Sequence, residues 1–163
     1  MSTPSTLNCH LVSDDPTPMY LGELPRRFEE IPARVVLNFC PVQAGGSPVR
    51  HVCLLLPMAD TLDQGMLPSR SNFERHLHAA HPYAAAEATY WHCHAGINRS
   101  AMALAAYLHL YRGQRISAAI ALLRRRRSDM VLCNSLFERT LREWYGDPDE
   151  QDFEPFSFET YLR

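Results

Sequence analysis

The sequence predicts an α/β fold: a central, mostly parallel sheet of about four to five strands flanked by helices. Three observations predict it. Short β-type runs, at Met19–Leu24, Arg34–Phe39, His51–Leu56 and Ala88–Trp91, are separated or followed by helical patterns. The run Arg-Val-Val-Leu-Asn-Phe at 34–39 is β-branched and apolar without alternation, which suits a strand covered on both faces, as parallel sheets require. The length of 163 residues is enough for one domain with a substantial core.

The elements follow in order. Residues 1–17 are polar and proline-rich and are expected to form a flexible N-terminal segment. The folded domain is expected over 18–146, with 147–163 as an acidic C-terminal tail. Met19–Leu24 reads as strand and turn. Residues 41–48, with Gly45-Gly46, form a turn between the strands at 34–39 and 51–56. After a loop over 57–68, a helix runs over 69–80, where Phe73 and Leu77 lie one turn apart, and alanines 84–86 suggest a short additional helix. The Ala88–Trp91 strand precedes three helices, at 100–112, 117–127 and 134–145. Gly113 ends the first, Ser117 caps the second, and Asn134 caps the third, with Phe137 and Leu141 on one face. Cys93 falls just past the end of a strand, where ligands of such sheets collect.

Composition narrows the function classes. No run of 18 apolar residues exists, and Met1–Asp15 lacks the basic start and apolar stretch of a secretion signal. Five cysteines at irregular spacing argue against a disulfide framework and for a reducing, cytoplasmic setting. All sixteen basic residues are arginine, which together with the many alanines and twelve prolines points to a GC-rich, bacterial coding sequence. The net charge of −2 is uneven: the tail holds six carboxylates and one arginine, leaving a body of +3. That body suits anionic substrates but is too weakly charged to argue for nucleic acid.

The chemistry concentrates in ten residues, His92-Cys93-His94-Ala95-Gly96-Ile97-Asn98-Arg99-Ser100-Ala101. Successive peptide N–H groups of such a loop can cradle a phosphate, Arg99 can add a forked pair of donors, and Gly96 permits a backbone conformation that side chains resist. The apolar run that follows places the loop at a helix N-terminus, which favours an anion and a thiolate at Cys93. His-Cys-x-x-Gly-x-x-Arg-Ser resembles the signature of the protein tyrosine phosphatase superfamily, and the continuation Ser100–Leu108 resembles the small dual-specificity phosphatases. Tyr20-Leu21-Gly22-Glu23-Leu24-Pro25, Val36-Leu37-Asn38 and Leu132-Cys133-Asn134-Ser135-Leu136-Phe137 extend the resemblance over about residues 19 to 146.

The resemblance implies a two-step hydrolysis through a phosphocysteine on Cys93, with Arg99 and the loop residues His94, Ala95, Gly96, Ile97 and Asn98 binding the phosphoryl group. It also implies an aspartate acid about thirty residues upstream. Asp60, 33 positions before Cys93 and followed by Thr61, fits that place, and Asp63 is its rival. Ser100 is expected to donate to the sulfur and His92 to order the loop. The expected substrate is a phosphorylated protein carrying phosphotyrosine or phosphoserine/threonine, handled by a monomer without cofactor or metal, and without nucleic-acid or membrane partners. RNA 5′-triphosphatase and phosphoinositide phosphatase activity are alternatives, as is a pseudophosphatase that binds without turnover. Asn98 stands where serine is common, as in the RNA branch, but Ala95 stands where that branch has histidine; the loop's lack of lysine weakens the lipid reading. In some superfamily members a cysteine in an Asn-x-Cys context forms a reversible disulfide with the nucleophile, which makes Cys40, after Asn38, the expected redox partner of Cys93. His76, His78 and His81 are expected to be scattered surface histidines rather than metal ligands, and Arg124–Arg127 a solvated helix end.

Overall fold

The computed structural model describes residues 7–146 and residue 156. The expected acidic tail, apart from Phe156, lies outside the described residues. Among the described residues, five strands, β1 (Cys9–Ser13), β2 (Met19–Gly22), β3 (Val35–Asn38), β4 (Val52–Leu55) and β5 (Thr89–His92), form one sheet in the order β1-β2-β5-β3-β4. β2, β5, β3 and β4 are parallel, and only the edge strand β1 is antiparallel. The α/β, mostly parallel architecture expected from the sequence is therefore the one observed.

β1 corrects one expectation: it lies inside the segment 1–17 assigned to a flexible N-terminus, yet pairs Cys9 with Gly22 and Leu11 with Tyr20. Its pattern gave little warning, since only Val12 of the strand is buried. The helices are α1 (Arg70–Ala86), α2 (Arg99–Arg112), α3 (Ile116–Arg126) and α4 (Ser135–Tyr145). The expected helix at 69–80 and the alanines at 84–86 are one element. α1 continues through Pro82 because its buried stripe, Phe73, Leu77, Ala80 and Ala84, runs unbroken past the missing N–H. Ser117 lies inside the first turn of α3, whose cap residue is Arg115, so the expected Ser117 cap is also corrected. Gly113 does end α2 in the left-handed region at φ 68°, and Asn134 does cap α4 by accepting from the Leu136 N–H.

The core has two layers. Leu21, Val35, Leu37 and Trp91 pack against α2 and its neighbours, where residues 100–108 are all buried. Val36 and Tyr90, on the opposite sheet face, are covered by Phe28, Ile31 and Ala33. Central strands covered on both faces explain the continuous apolar run at 35–37. Among the described residues, no helix is long and apolar enough to cross a membrane.

Candidate active site

β5 ends at His92 in the middle of the sheet, flanked by β2 and β3 on either side. The chain then turns through residues 93–98 into α2, so Cys93 sits between the carboxyl ends of three parallel strands and a helix N-terminus. The loop's shape is set from outside. The Leu24 N–H donates to His94 O at 2.8 Å, the Leu132 N–H donates to Ile97 O at 2.9 Å, and Arg127 Nη2 donates to Ala95 O at 3.1 Å. With these carbonyls drawn outward, the loop's N–H groups are left to face inward, which is how a backbone nest forms.

Gly96 has φ 67°, as the sequence reading required. The packing is stricter still: a Cβ at Gly96 would stand 2.1 Å from the Gly22 carbonyl oxygen. Gly22 has its own neighbours, since a Cβ there would stand 2.4 Å from the Tyr90 hydroxyl. That hydroxyl donates to Glu23 O at 2.6 Å. The end of β2 is thus a bare-backbone floor on which the loop rests.

Cys93 is 2 % exposed, and Ser100 Oγ donates to its sulfur at 3.3 Å. Burial, the largest single influence, pushes this thiol up. It is outweighed by the Ser100 hydroxyl and the peptide N–H groups of Ser100, Gly96 and Ile97, which hold the thiol below its ordinary range. Arg99 opens α2, and its Nε is buried with no hydrogen-bond partner among the described residues. A buried guanidinium N–H left open beside a cradle of inward amides matches the donor set that a phosphoryl group needs. His92 is buried, and this pushes it down to about 4, partly offset by its Nδ1 contact with Cys93 O at 3.1 Å. The neutral ring with its proton on Nδ1 donates to that carbonyl and ties the start of the loop to the strand end.

Asp60 lies on the loop after β4 and meets the Cys93 loop directly. Asn98 Nδ2 donates to Asp60 Oδ2 at 3.3 Å, and Asn134 Nδ2 donates to Asp60 Oδ1 at 2.9 Å. Asp63 instead caps the 3-10 turn at Gln64–Met66, accepting from the Gly65 N–H. The structure therefore brings Cys93, Arg99, Ser100, His92, Asn98 and Asp60 together, and gives the rival aspartate a local structural partner. His94 and Ala95 are exposed at the loop's rim.

Cys40 follows β3, whose Asn38 pairs with His92 of β5. Asn38 Oδ1 accepts from the Cys40 N–H at 2.9 Å and from its thiol at 3.2 Å. Burial pushes the Cys40 thiol up, and the nearby charges of Arg99 and Cys93 act on it in opposite directions. Both cysteines are free.

Two sequence readings of surface residues are corrected. Arg124 is not a solvated helix end: its guanidinium is paired with the buried Glu138 at 2.5 Å. Arg127 is half-buried and holds Ala95, as described above. His81 is half-buried, stacked on Tyr111 at 4.1 Å and hydrogen-bonded to Tyr107 at 2.9 Å, rather than on a solvent face. Among the described residues, no group of three or more His, Cys, Asp or Glu could hold a metal ion. The sequence reading also missed Gly22, Arg127 and the second role of Asn134. Gly22 stood inside a quoted family stretch, but its contact with Gly96 bridges 74 positions of sequence and leaves no local signal.

The family model of the dual specificity phosphatase catalytic domain matches residues 49–147, a span that includes Asp60, the Cys93 loop and Asn134. The chain belongs to the dual-specificity phosphatase family. Family membership makes it a phosphatase-type hydrolase of phosphorylated substrates. No curated protein matches its sequence. Among solved structures it is similar to human DUSP28, at 19% identity over 88% of this chain and 97% of that one, with a TM-score of 0.67. It is also similar to PTPMT1, at 23% identity over 83% of this chain and 97% of that one, TM-score 0.58. A human tyrosine phosphatase-like serine/threonine/tyrosine-interacting protein matches at 17% identity over 83% of this chain and 94% of that one, TM-score 0.63. These likenesses establish the shared fold.

Proposed function

We propose that this phosphatase hydrolyses phosphotyrosine and phosphoserine/threonine in proteins through a phosphocysteine intermediate. One observation carries the reading: a buried thiol held below its ordinary range lies in the same loop that hydrogen-bonds an aspartate. In the first step the Cys93 thiolate attacks phosphorus, the S–P bond forms, and the P–O bond to the leaving group breaks while Asp60 gives that oxygen a proton. In the second step water attacks the phosphocysteine, Asp60 takes a proton from it, and the S–P bond breaks. Ser100 Oγ, 3.3 Å from the sulfur, donates to the departing thiolate. Arg99 and the inward amides bind the equatorial oxygens, whose charge peaks in the transition state. No cofactor enters this scheme.

Phosphoinositide hydrolysis is the weaker reading. A structure of PTPMT1 in complex with PI(5)P is among the similar folds, at 20% identity and TM-score 0.56. Against it, the loop here carries one arginine and no lysine to meet a polyanionic headgroup. The test is direct. Wild type should hydrolyse p-nitrophenyl phosphate and phosphotyrosine, phosphoserine and phosphothreonine peptides, and Cys93→Ser should fall to background. Undiminished turnover in Cys93→Ser overturns the mechanism, and preferential release of phosphate from PI(5)P overturns the substrate class.

Cys40 is included in the proposal as a redox guard. Peroxide would oxidise the Cys93 thiolate to a sulfenic acid, and the Cys40 thiol would displace water from it to form a disulfide. Reductant should then restore wild type, whereas Cys40→Ser should lose activity progressively. Equal recovery of the two removes this role.

A further inference from the structure

Asp60 is exposed on a loop, anchored on one side by the buried Met58 and followed by the exposed Leu62 and Asp63. Little apolar packing therefore fixes its carboxylate. Two amides do so instead. Asn98 Nδ2 reaches Oδ2, and Asn134 Nδ2 reaches both Oδ1 and the carbonyl of Thr61, the latter two at 2.9 Å.

The orientation of each amide is dictated by a backbone donor at its other end. The Asn134 N–H donates to Asn98 Oδ1 at 3.0 Å, and the Leu136 N–H donates to Asn134 Oδ1 at 3.1 Å. Flipping either amide would set an NH2 group against a peptide N–H. Both amide nitrogens must therefore face Asp60. The three side chains come from the phosphate-binding loop, the helix cap of α4 and the loop after β4, and they form one connected chain of hydrogen bonds.

We propose that Asn98 and Asn134 are positioning residues that hold the Asp60 carboxylate over the Cys93 loop before substrate arrives. The proposal rests on the reading of Asp60 as the general acid. Its value is geometric: an acid displaced by about 1 Å can cost on the order of 100-fold in rate. Asn98 then does a job that an amide can do and a shorter hydroxyl side chain cannot, which gives a reason for asparagine directly before the arginine. Asn134 joins capping of α4 to placement of the acid, so the end of the domain is tied to the reaction centre.

The test uses the full chain and two substrates that differ in leaving group. Phenyl phosphate releases a phenol of pKa about 10, like tyrosine, and needs the acid. Difluoromethylumbelliferyl phosphate releases a far more acidic phenol and needs it little. Asn98→Asp keeps the acceptor for the Asn134 N–H and replaces the donor with a carboxylate oxygen that repels Asp60. Asn134→Asp keeps a strong helix cap and likewise sets a carboxylate oxygen against Asp60 and the Thr61 carbonyl. Each is expected to lower kcat on phenyl phosphate by at least about tenfold more than on the activated ester, whatever common change the added charge makes in KM. In an Asp60→Ala background, each substitution should have no further leaving-group-dependent effect. Asn98→Ser removes the donor without adding charge and leaves the α4 cap intact, so it should show the same selective loss and also serves should Asn134→Asp unfold the helix.

Three results would overturn the proposal. If Asn98→Asp and Asn134→Asp lower both substrates by the same factor, they act on the loop's shape alone. If they retain their selective effect without Asp60, they act through another group. If Asp60→Ala itself treats the two substrates alike, the general-acid reading fails first and is recognised separately.

Discussion

Two clusters of buried charge lie in this domain and are built on opposite plans. In the first, Glu138 is fully buried between α3 and α4 and accepts from Arg124 at 2.5 and 3.3 Å and from Arg142 at 3.1 Å. Arg124 spends its Nε on Val131 O at 3.0 Å, which closes the cluster and holds the segment before Asn134. In the second, Arg99 keeps a buried Nε without a partner, and Cys93 is a buried thiol held below its ordinary range. The first cluster satisfies its charges internally and contributes order. The second satisfies its sulfur from the Ser100 hydroxyl and the loop amides but leaves the Arg99 Nε open, a donor that an arriving phosphoryl group can take. Buried charge thus has two uses here, and hydrogen-bond completeness separates them.

The largest effects should test that separation. Arg99→Met should cut p-nitrophenyl phosphate turnover by on the order of 1,000-fold, since it removes a donor pair aimed at developing charge. It should leave the urea midpoint unchanged or raised, because a buried N–H without a partner is lost. Glu138→Ala should do the reverse. Removing the buried carboxylate that Arg124 and Arg142 both reach should destabilise by about 3–5 kcal/mol in urea unfolding, while turnover per folded molecule stays near wild type. An Arg99→Met protein destabilised as much as Glu138→Ala would collapse the contrast.

A smaller effect tests how the open cluster is shaped. Gly96→Ala requires a side chain at φ 67° and a Cβ 2.1 Å from the Gly22 carbonyl oxygen. The loop must shift to relieve this, at a cost of about 1–3 kcal/mol. Activity should fall more steeply than stability, because the shift moves the amides that face the phosphate. A fall in unfolding free energy with kcat preserved would show that the nest tolerates the movement.

His92 supplies a pH-dependent test of the same region. Its folded value is pushed down to about 4 from 6.5 by burial. The folded state therefore resists a proton that the unfolded chain accepts. The contribution to stability is fully present above pH 6.5 and is lost as pH falls toward 4. Wild type should lose roughly 2–3 kcal/mol relative to His92→Gln between pH 7.5 and 4.5. Parallel urea unfolding of the two proteins at both pH values measures it, and equal losses would mean that the ring is protonated in the folded state.

How much of this could be read from the sequence depended on how local each cause was. The Cys93 loop was legible because its nucleophile, glycine, arginine and serine lie within eight consecutive residues, from Cys93 to Ser100. The parallel sheet was legible because β3 is covered on both faces and its composition shows it. β1 was not, because an edge strand with one buried residue carries neither an apolar run nor a clean alternation. Gly22, Arg127 and Asn134 acquire their roles only when segments far apart in sequence meet at the loop. Asn134 announced itself as a helix cap, and nothing nearby in the chain could reveal that its amide nitrogen also reaches Asp60.

The arginine run at 124–127 gives the finest test of the same lesson, and the smallest expected effect. Four identical residues read alike in sequence as a cationic helix end. The fold divides them: Arg124 faces Glu138, Arg127 faces Ala95, Asn8 and His10, and Arg125 and Arg126 are exposed. Arg125→Ala should change unfolding free energy by no more than about 0.5 kcal/mol, as exposed surface substitutions do. Arg124→Ala should cost several times more, because it removes two donors from a buried carboxylate and the donor from Val131 O. Measured side by side in urea, the two substitutions hold residue type, helix and position within one residue, and vary only whether the charge is enclosed. If both cost the same, the helix-end dipole accounts for the run and the Glu138 cluster contributes no more than a surface pair would.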